Sequence, residues 1–264
     1  MENIINSLKR PNRFKGILPF LIGLLLPILP SCEKITSVQD ILISPIATAS
    51  TVKITYGKVK DINGNTYKTV IIGTQTWMAE NLRATKLNDG TSIPYVNSDE
   101  GWNFDQEWPV LYTPAYCWYN YSVINKTTYG ALYNWATVNT GKLCPIGWHV
   151  PSDEEWTILT KYLGEEDAGD KLRQTGKTIW LNNDIGTQPT NETGFTALPG
   201  GSRIVYNDFT EQYFSGVNLE GYWWTSTTDG YYLAWLRYMA GNRSYVEKWT
   251  QNRNQANSIR CVKD

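Results

Sequence analysis

The sequence predicts an α+β domain, with helices early and strands late. A capped amphipathic helix begins after Pro151, and short β-type runs parted by glycine-containing turns fill the chain from Gly194 onward. Those runs lie too close together for helical crossovers, so they read as an antiparallel meander.

The amino-terminal segment stands apart from everything behind it. Lys9, Arg10, Arg13 and Lys15 precede an apolar run, Ile17 to Leu29, broken only by Pro19, Gly23 and Pro27. The run ends at Leu29-Pro30-Ser31-Cys32. A positive start, a short apolar core and a small residue before the cut are the layout of an export signal. A membrane-spanning helix needs about 20 apolar residues, more than this proline-interrupted run supplies. The stretch resembles the bacterial lipobox, so residues 1–31 are expected to be a lipoprotein signal peptide, with a lipid thioether on Cys32. The alternative is an ordinary secretory signal with a coincidental cysteine. Several palmitate-class acyl chains on one residue give stable anchoring, at about 0.8 kcal/mol per buried methylene. The expected location is therefore the cell envelope, at the outer membrane or cell surface, with the membrane as a partner through Cys32.

Residues 32–57 read as the lipidated cysteine and a Ser-, Thr- and Ile-rich tether, and residues 58–264 as one domain. Within it, Lys58 to Asp61, Asn63-Gly64 and Thr66 to Ile72 form a hairpin signal. Gly73 ends the second strand, and Trp77 to Leu82 suits one helical turn. Asn88-Asp89-Gly90 and Pro94 mark loops. Tyr129 to Val138 reads as helix, with Leu132, Trp135 and Ala136 on one side.

The clearest element follows Pro151. Ser152 and Glu155 have capping-box spacing, in which the Ser oxygen takes an orphan backbone N–H and the Glu reaches back to another. Trp156, Leu159 and Leu163 recur at helical spacing, and Gly164 is a natural stop. The acids at this helix start suit capping and the helix dipole better than catalysis. A shorter helix is expected over Ala168 to Gln174. Strands are expected at Phe195 to Leu198, Tyr222 to Thr227, Ala234 to Met239, Tyr245 to Thr250 and Ser258 to Val262. Gly200-Gly201, Asp229-Gly230 and Gly241-Asn242 separate several of them.

Removing residues 1–31 takes away four basic residues and one acid, leaving 20 Lys and Arg against 24 Asp and Glu, a formal charge of −4. No basic patch appears, which disfavours nucleic acid as a partner. Twelve Trp and 17 Tyr accompany only six Phe, and such side chains join an apolar face to a polar tip. They suit sugar or protein surfaces as well as wet cores.

Seven blocks then resemble one family, the Fibrobacter succinogenes major paralogous domain. They are Asp61 to Val70, Ile72 to Leu82, Tyr129 to Trp135, Cys144 to Ser152, Gly194 to Gly201, Trp223-Trp224-Thr225-Ser226 and Arg260 to Asp264. The resemblance implies a C-type lectin-like fold, related to formylglycine-generating enzymes, with early helices packed on a small irregular antiparallel sheet. It also implies a secreted protein or lipoprotein of Bacteroidetes-like bacteria. Lectins of this fold hold calcium through a Glu-Pro-Asn or Gln-Pro-Asp tripeptide and a later Trp-Asn-Asp. Here Gln188-Pro189-Thr190 lacks the last ligand and Tyr206-Asn207-Asp208 lacks the Trp, so a lectin-type calcium site is unsupported, and no other cofactor is expected.

With Cys32 lipidated, Cys117, Cys144 and Cys261 permit one bridge outside the reducing cytosol. The resemblance favours Cys144–Cys261, because related folds join a position near the first helix to the last strand. Cys117 is then a buried apolar thiol; the alternative is three reduced, buried thiols. His149 is the single histidine, which excludes a histidine-dependent triad or a multi-histidine zinc site. Packing or a backbone hydrogen bond is its expected role. A Cys144–His149 nucleophile pair and acid pairs drawn from Asp153, Glu165, Glu166 and Asp229 are the remaining catalytic constellations.

The leading expectation is a non-catalytic, lectin-like binding or adhesion domain for glycan or protein. Trp102, Trp108, Tyr231 and Tyr232 are the candidate contact residues, since they fall in loop-like segments without core periodicity. The alternatives are a divergent oxidase or glycan hydrolase on the same scaffold, and a structural envelope component without a ligand.

Overall fold

The computed structural model describes residues 54–99, 113–176, 179–181, 188–205 and 212–264, which fall within one compact unit, Thr51–Asp264. Strands β1 (Gly57–Lys60), β2 (Thr66–Ile72), β3 (Gln75–Met78), β4 (Tyr116–Cys117), β5 (Leu132–Asn134) and β6 (Trp148–His149) occupy the first part of the domain. Strands β7 (Gly200–Val205), β8 (Gln212–Val217), β9 (Glu220–Asp229), β10 (Leu233–Ala240), β11 (Glu247–Asn252), β12 (Ala256–Asn257) and β13 (Val262–Lys263) follow. Among the described residues four α-helices are interspersed: α1 (Asn125–Tyr129), α2 (Trp135–Val138), α3 (Asp153–Leu163) and α4 (Ala168–Leu172).

Two sheets result. The smaller has the order β1-β2-β3-β13-β6; the larger runs β11-β10-β9-β7-β12-β5-β4, with β8 beside β7, and one of the two curls into a half-barrel. Each strand pair is antiparallel except β7 and β9, which meet in parallel at Gly201 and Gly221. The meander β9-β10-β11 is antiparallel, with Leu236 between Trp224 and Trp249, and the β9–β10 register shifts between Ala234 and Leu236.

The expected α+β, C-type lectin-like arrangement is overturned: the chain is mostly β-sheet, and early helices do not lead it. Three local causes explain the error. Trp77 to Leu82, expected as a helical turn, instead lies partly in β3, where Trp77 pairs with Val70 and Val262. The helix expected over Tyr129 to Val138 breaks at Gly130, whose φ of 77° is outside helical space. A Cβ there would sit 2.7 Å from the Leu82 carbonyl, so close backbone approach fixes the glycine and converts the next residues to β5. Gly200-Gly201, read as a strand separator, opens β7, and Gly201 lets the β8 backbone pass against it.

The post-Pro151 helix forms as its residues dictate. The Glu155 N–H donates to Ser152 Oγ at 3.2 Å, and Ser152 N–H donates to Glu155 Oε2 at 2.7 Å. Trp156, Leu159 and Leu163 are buried, and Gly164 ends α3 with a φ of 85°. Trp156 packs at 4.9 Å from Trp77 and 5.7 Å from Phe195, which couples the helix to both sheets through one apolar cluster that includes Trp223.

At the centre lies a fully buried arginine. Arg260 donates from Nε and Nη2 to Asn81 Oδ1, at 3.2 and 2.9 Å. Its Nη1 donates to the carbonyls of Met78 and Phe195, its Nη2 also to that of Thr196, and the guanidinium lies 4.3 Å from the Phe195 ring centre. Trp223 Nε1 donates to the same Asn81 oxygen at 2.9 Å. The Asn81 amide nitrogen donates to Tyr129 O and Ser258 Oγ. Five of the seven sequence blocks meet at this cluster. A buried charge is tolerable only when satisfied on all sides, and here the donors are matched to fixed carbonyls. Burial pushes the Arg260 pKa down, with the charge kept at neutral pH.

Cys144 and Cys261 form a disulfide across 117 positions of sequence, next to this cluster. It joins the Cys144 block to the last one. Cys117 is buried among Val96, Leu132, Val205 and Ala256, and burial pushes its thiol up to about 12, so it behaves as a small apolar side chain. Reduction of the bridge is expected to lower stability by about 4–5 kcal/mol, from loop entropy alone, in urea titrations with and without reductant. Arg260→Met strands several buried carbonyls and the Asn81 oxygen; the same titrations should show a loss of about 3–5 kcal/mol.

Candidate functional site

The β9-β10-β11 meander forms the outer edge of the larger sheet, and its exposed aromatics are the candidate contact surface. Asp229-Gly230 turns the chain between β9 and β10, with Gly230 at a φ of 69°. Tyr231 and Tyr232 project from this turn, 61 % and 43 % exposed, their rings edge to face at 4.8 Å. Arg253 clamps the turn from behind. Its backbone N–H donates to Tyr232 O, and its guanidinium donates to Leu233 O at 3.1 Å and Gly230 O at 2.7 Å. The same guanidinium lies 4.4 Å from the Trp135 ring centre, so the turn is pinned to the core. The two rings therefore stand on a fixed backbone rather than on a free loop.

Trp249 is the second exposed element. It sits on β11, the outermost strand, opposite Leu236, and is 51 % exposed. Tyr238 supports it from the neighbouring strand, 6.0 Å ring to ring. Beneath, the hydroxyls of Tyr222 and Tyr238 both donate to Glu220, each at 2.8 Å. Burial first, and then the Glu220 hydrogen bonds, raise both phenol pKa values, so both remain protonated donors.

The remaining sequence candidates distribute as follows. Trp102, Trp108, Cys32 and Tyr206-Asn207-Asp208 lie outside the described residues. Gln188-Pro189-Thr190 is tied to α4: Gln188 N–H donates to Asp170 Oδ2 and Thr190 N–H to Asp170 O. Among the described residues no group of three or more His, Cys, Asp or Glu side chains converges as a metal site. Cys144 is consumed by its disulfide, so the Cys144–His149 nucleophile pair does not exist. Asp153 pairs with Arg237 and Lys248, each at 2.7 Å.

A cleft of about 330 Å³ opens beside the buried cluster, between Asn81, Tyr129 and Thr196. Its strongest polar groups are already engaged: Asn81 as above, Glu80 by Arg83 and the Lys68 N–H, and the Tyr129 hydroxyl by Asn218. Its floor is scaffold.

A family model, the Fibrobacter succinogenes major domain, matches residues 70–263. The chain belongs to this family. A search of curated proteins and one of solved structures found no match. The geometry shows what the blocks of this Fibrobacter succinogenes major domain encode. They build the Arg260–Asn81 cluster, the disulfide and the capped helix, and Tyr231, Tyr232 and Trp249 lie outside all of them. The residues that carry the family resemblance are thus residues of the scaffold in this chain. Trp249 escaped sequence reasoning because its run reads as an ordinary strand. The one available signal was its place in a run with charged Glu247 and Lys248 beside it.

His149 has a different role from the expected packing or backbone contact. Its Nδ1 lies 2.6 Å from Asp264 Oδ1 and its Nε2 lies 2.8 Å from Glu155 Oε1, an ionic clasp between β6, the start of α3 and the last residue. Partial burial alone depresses its pKa, but the hydrogen bonds to Asp264 and Glu155 outweigh it and the net shift is upward. Glu155 is opposed by burial and shifts downward through Ser152 and His149. The histidine's contribution is present in full below its unfolded pKa and is lost as pH rises through the raised folded one. The Glu155 contribution is lost at the acid end. Melting curves of wild type and His149→Gln should therefore differ most near about pH 6 and converge by about pH 9.

Proposed function

We propose that this protein is an envelope-anchored lipoprotein whose domain is a non-catalytic binding or adhesion module for glycan or protein. The observation that carries the reading is the pair of exposed tyrosines held on the Arg253-clamped turn, with Trp249 exposed on the same meander. Aromatic rings that face solvent from a rigid backbone bind with little loss of conformational entropy, because they are already in place. The scaffold behind them is stiffened by a buried charge cluster and a disulfide, which suits a display role.

The anchoring half rests on the lipobox-like run ending at Cys32. The disulfide supports it, since such bridges persist in oxidising compartments such as the bacterial envelope. On this reading residues 32–57 carry the domain away from the bilayer, facing outer-membrane or cell-surface ligands.

The decisive experiment is binding of the mature protein to glycan arrays and envelope extracts, alongside Tyr231→Ala/Tyr232→Ala and Trp249→Ala variants. Because these rings are exposed, the variants should melt like wild type yet bind about tenfold or more weakly, as expected for central contact aromatics. Equal binding by all three proteins would remove the aromatic surface from the proposal. For the anchor, Cys32→Ser is expected to move the protein from the membrane to the soluble fraction, and mass spectrometry of the wild-type amino terminus to show acyl chains.

A further inference from the structure

Strand pairing gathers three lysines at the outer edge of the smaller sheet. Lys58 and Lys68 stand directly opposite each other in the β1–β2 ladder. Lys60, two residues on from Lys58, shares that face and stands opposite Thr66. All three are exposed, and among the described residues none of them forms an ion pair. The carboxylates beside them are already engaged. Asp61 is buried and accepts from the Asn65 N–H, the Asn65 amide and the Tyr67 hydroxyl. Glu80 accepts the Lys68 backbone N–H and pairs with Arg83 at 3.0 Å. The Lys68 ammonium lies 5.4 Å from the centre of the Tyr56 ring.

Like charges directly opposite on one face of a sheet are destabilising, since such side chains start about 5 Å apart and diagonal neighbours about 7–8 Å. The hairpin therefore holds a repulsive cluster that its own chain does not neutralise. It does so in a mature chain whose formal charge is −4. A negative partner relieves that repulsion, and position says which partner. On the lipoprotein reading, this hairpin is the first part of the domain reached from the lipid on Cys32, because β1 begins at Gly57.

We infer that the β1–β2 face docks on the acidic phospholipid headgroups of the membrane that holds the anchor. The excess acid elsewhere on the mature chain is repelled by such a surface, which selects this face for contact. Anchoring makes the docking intramolecular, at an effective concentration in the millimolar range for a short linker. Three lysines worth about fivefold each then suffice to favour the docked state. The docking rests on the lipoprotein reading and uses none of Tyr231, Tyr232 and Trp249, which belong to the larger sheet and its turns.

The test separates docking from acylation. Cys144 and Cys261 are bridged and Cys117 is buried, so Cys32 is the thiol that reacts in the folded mature protein. Nitrogen-15-labelled protein is coupled through Cys32 to a maleimide lipid in nanodiscs that carry a spin-labelled lipid. Discs of phosphatidylcholine are compared with discs containing equal parts of phosphatidylcholine and phosphatidylglycerol. The expected result is paramagnetic broadening of the β1 and β2 amides on the acidic discs alone. Salt at about 1 M, where the screening length is about 3 Å, should abolish it. Lys58→Gln/Lys60→Gln/Lys68→Gln should also abolish it, at an unchanged or higher melting temperature because the repulsion leaves with the charges. Broadening that is equal on both discs, centred on other strands, or retained in the triple variant overturns the proposal. Retained broadening in a triple variant that self-associates would assign the lysines to guarding the sheet edge instead. Release from the discs by polygalacturonate, at a charge concentration far below that of the lipid, would make this a face for soluble polyanions and likewise overturn it. If docking fails while the native amino terminus carries acyl chains, only the docking is lost. An unacylated native start removes the anchor as well.

Discussion

One buried guanidinium organises this molecule. Arg260 is removed from water entirely, and its charge is tolerable only because Asn81 and the carbonyls of Met78, Phe195 and Thr196 surround it. Those groups come from chain segments separated by up to 182 positions. Satisfying the arginine therefore fixes the relative placement of β3, the Phe195 segment and the strand that follows Arg260. Trp223 joins through its indole N–H, which brings β9, and with it the meander, into the same frame. Apolar burial supplies the bulk of the driving force, but it is nearly indifferent to direction. The hydrogen bonds to Asn81 are what select one arrangement of these irregular segments over others of similar burial.

Local chemistry was legible in the sequence, and long-range pairing was not. Ser152, Glu155, Trp156, Leu159 and Gly164 specify a helix within a dozen residues, and that helix formed with those caps and that buried face. The Asn63-Gly64 hairpin is local too, and its register runs from Gly57 against Thr69 to Lys60 against Thr66. Trp77 to Leu82 failed because its strand character comes from Val70 and Val262, distant partners that no window of sequence contains. Leu132 and Trp135 have helical spacing, yet Gly130 sits where Leu82 leaves no room for a side chain, and tertiary contact overrode the pattern. Errors of this kind, summed over short segments, turned a mostly β protein into an expected α+β one.

The candidate surface divides along the same line. Asp229-Gly230 announces a turn, and a turn places Tyr231 and Tyr232 near solvent. Whether Trp249 is exposed depends on β11 being the last strand of its sheet, a fact of topology. Arg237 was harder still. It lies in Leu233–Ala240, a run that reads as apolar strand, and its ion pair with Asp153, shared with Lys248, emerges only when those residues are brought from two other elements. Trp102, Trp108 and Cys32 fall outside the described residues, so their parts in contact and anchoring stay with the proposal.

The final stretch of the chain occupies interior positions in both sheets: β12 lies between β7 and β5, and β13 between β3 and β6. A polypeptide emerging amino end first thus has neither sheet complete until its closing dozen residues arrive. Until then, several strands offer open edges to any neighbour. The interval before completion is therefore when a holdase that covers exposed strand edges matters most.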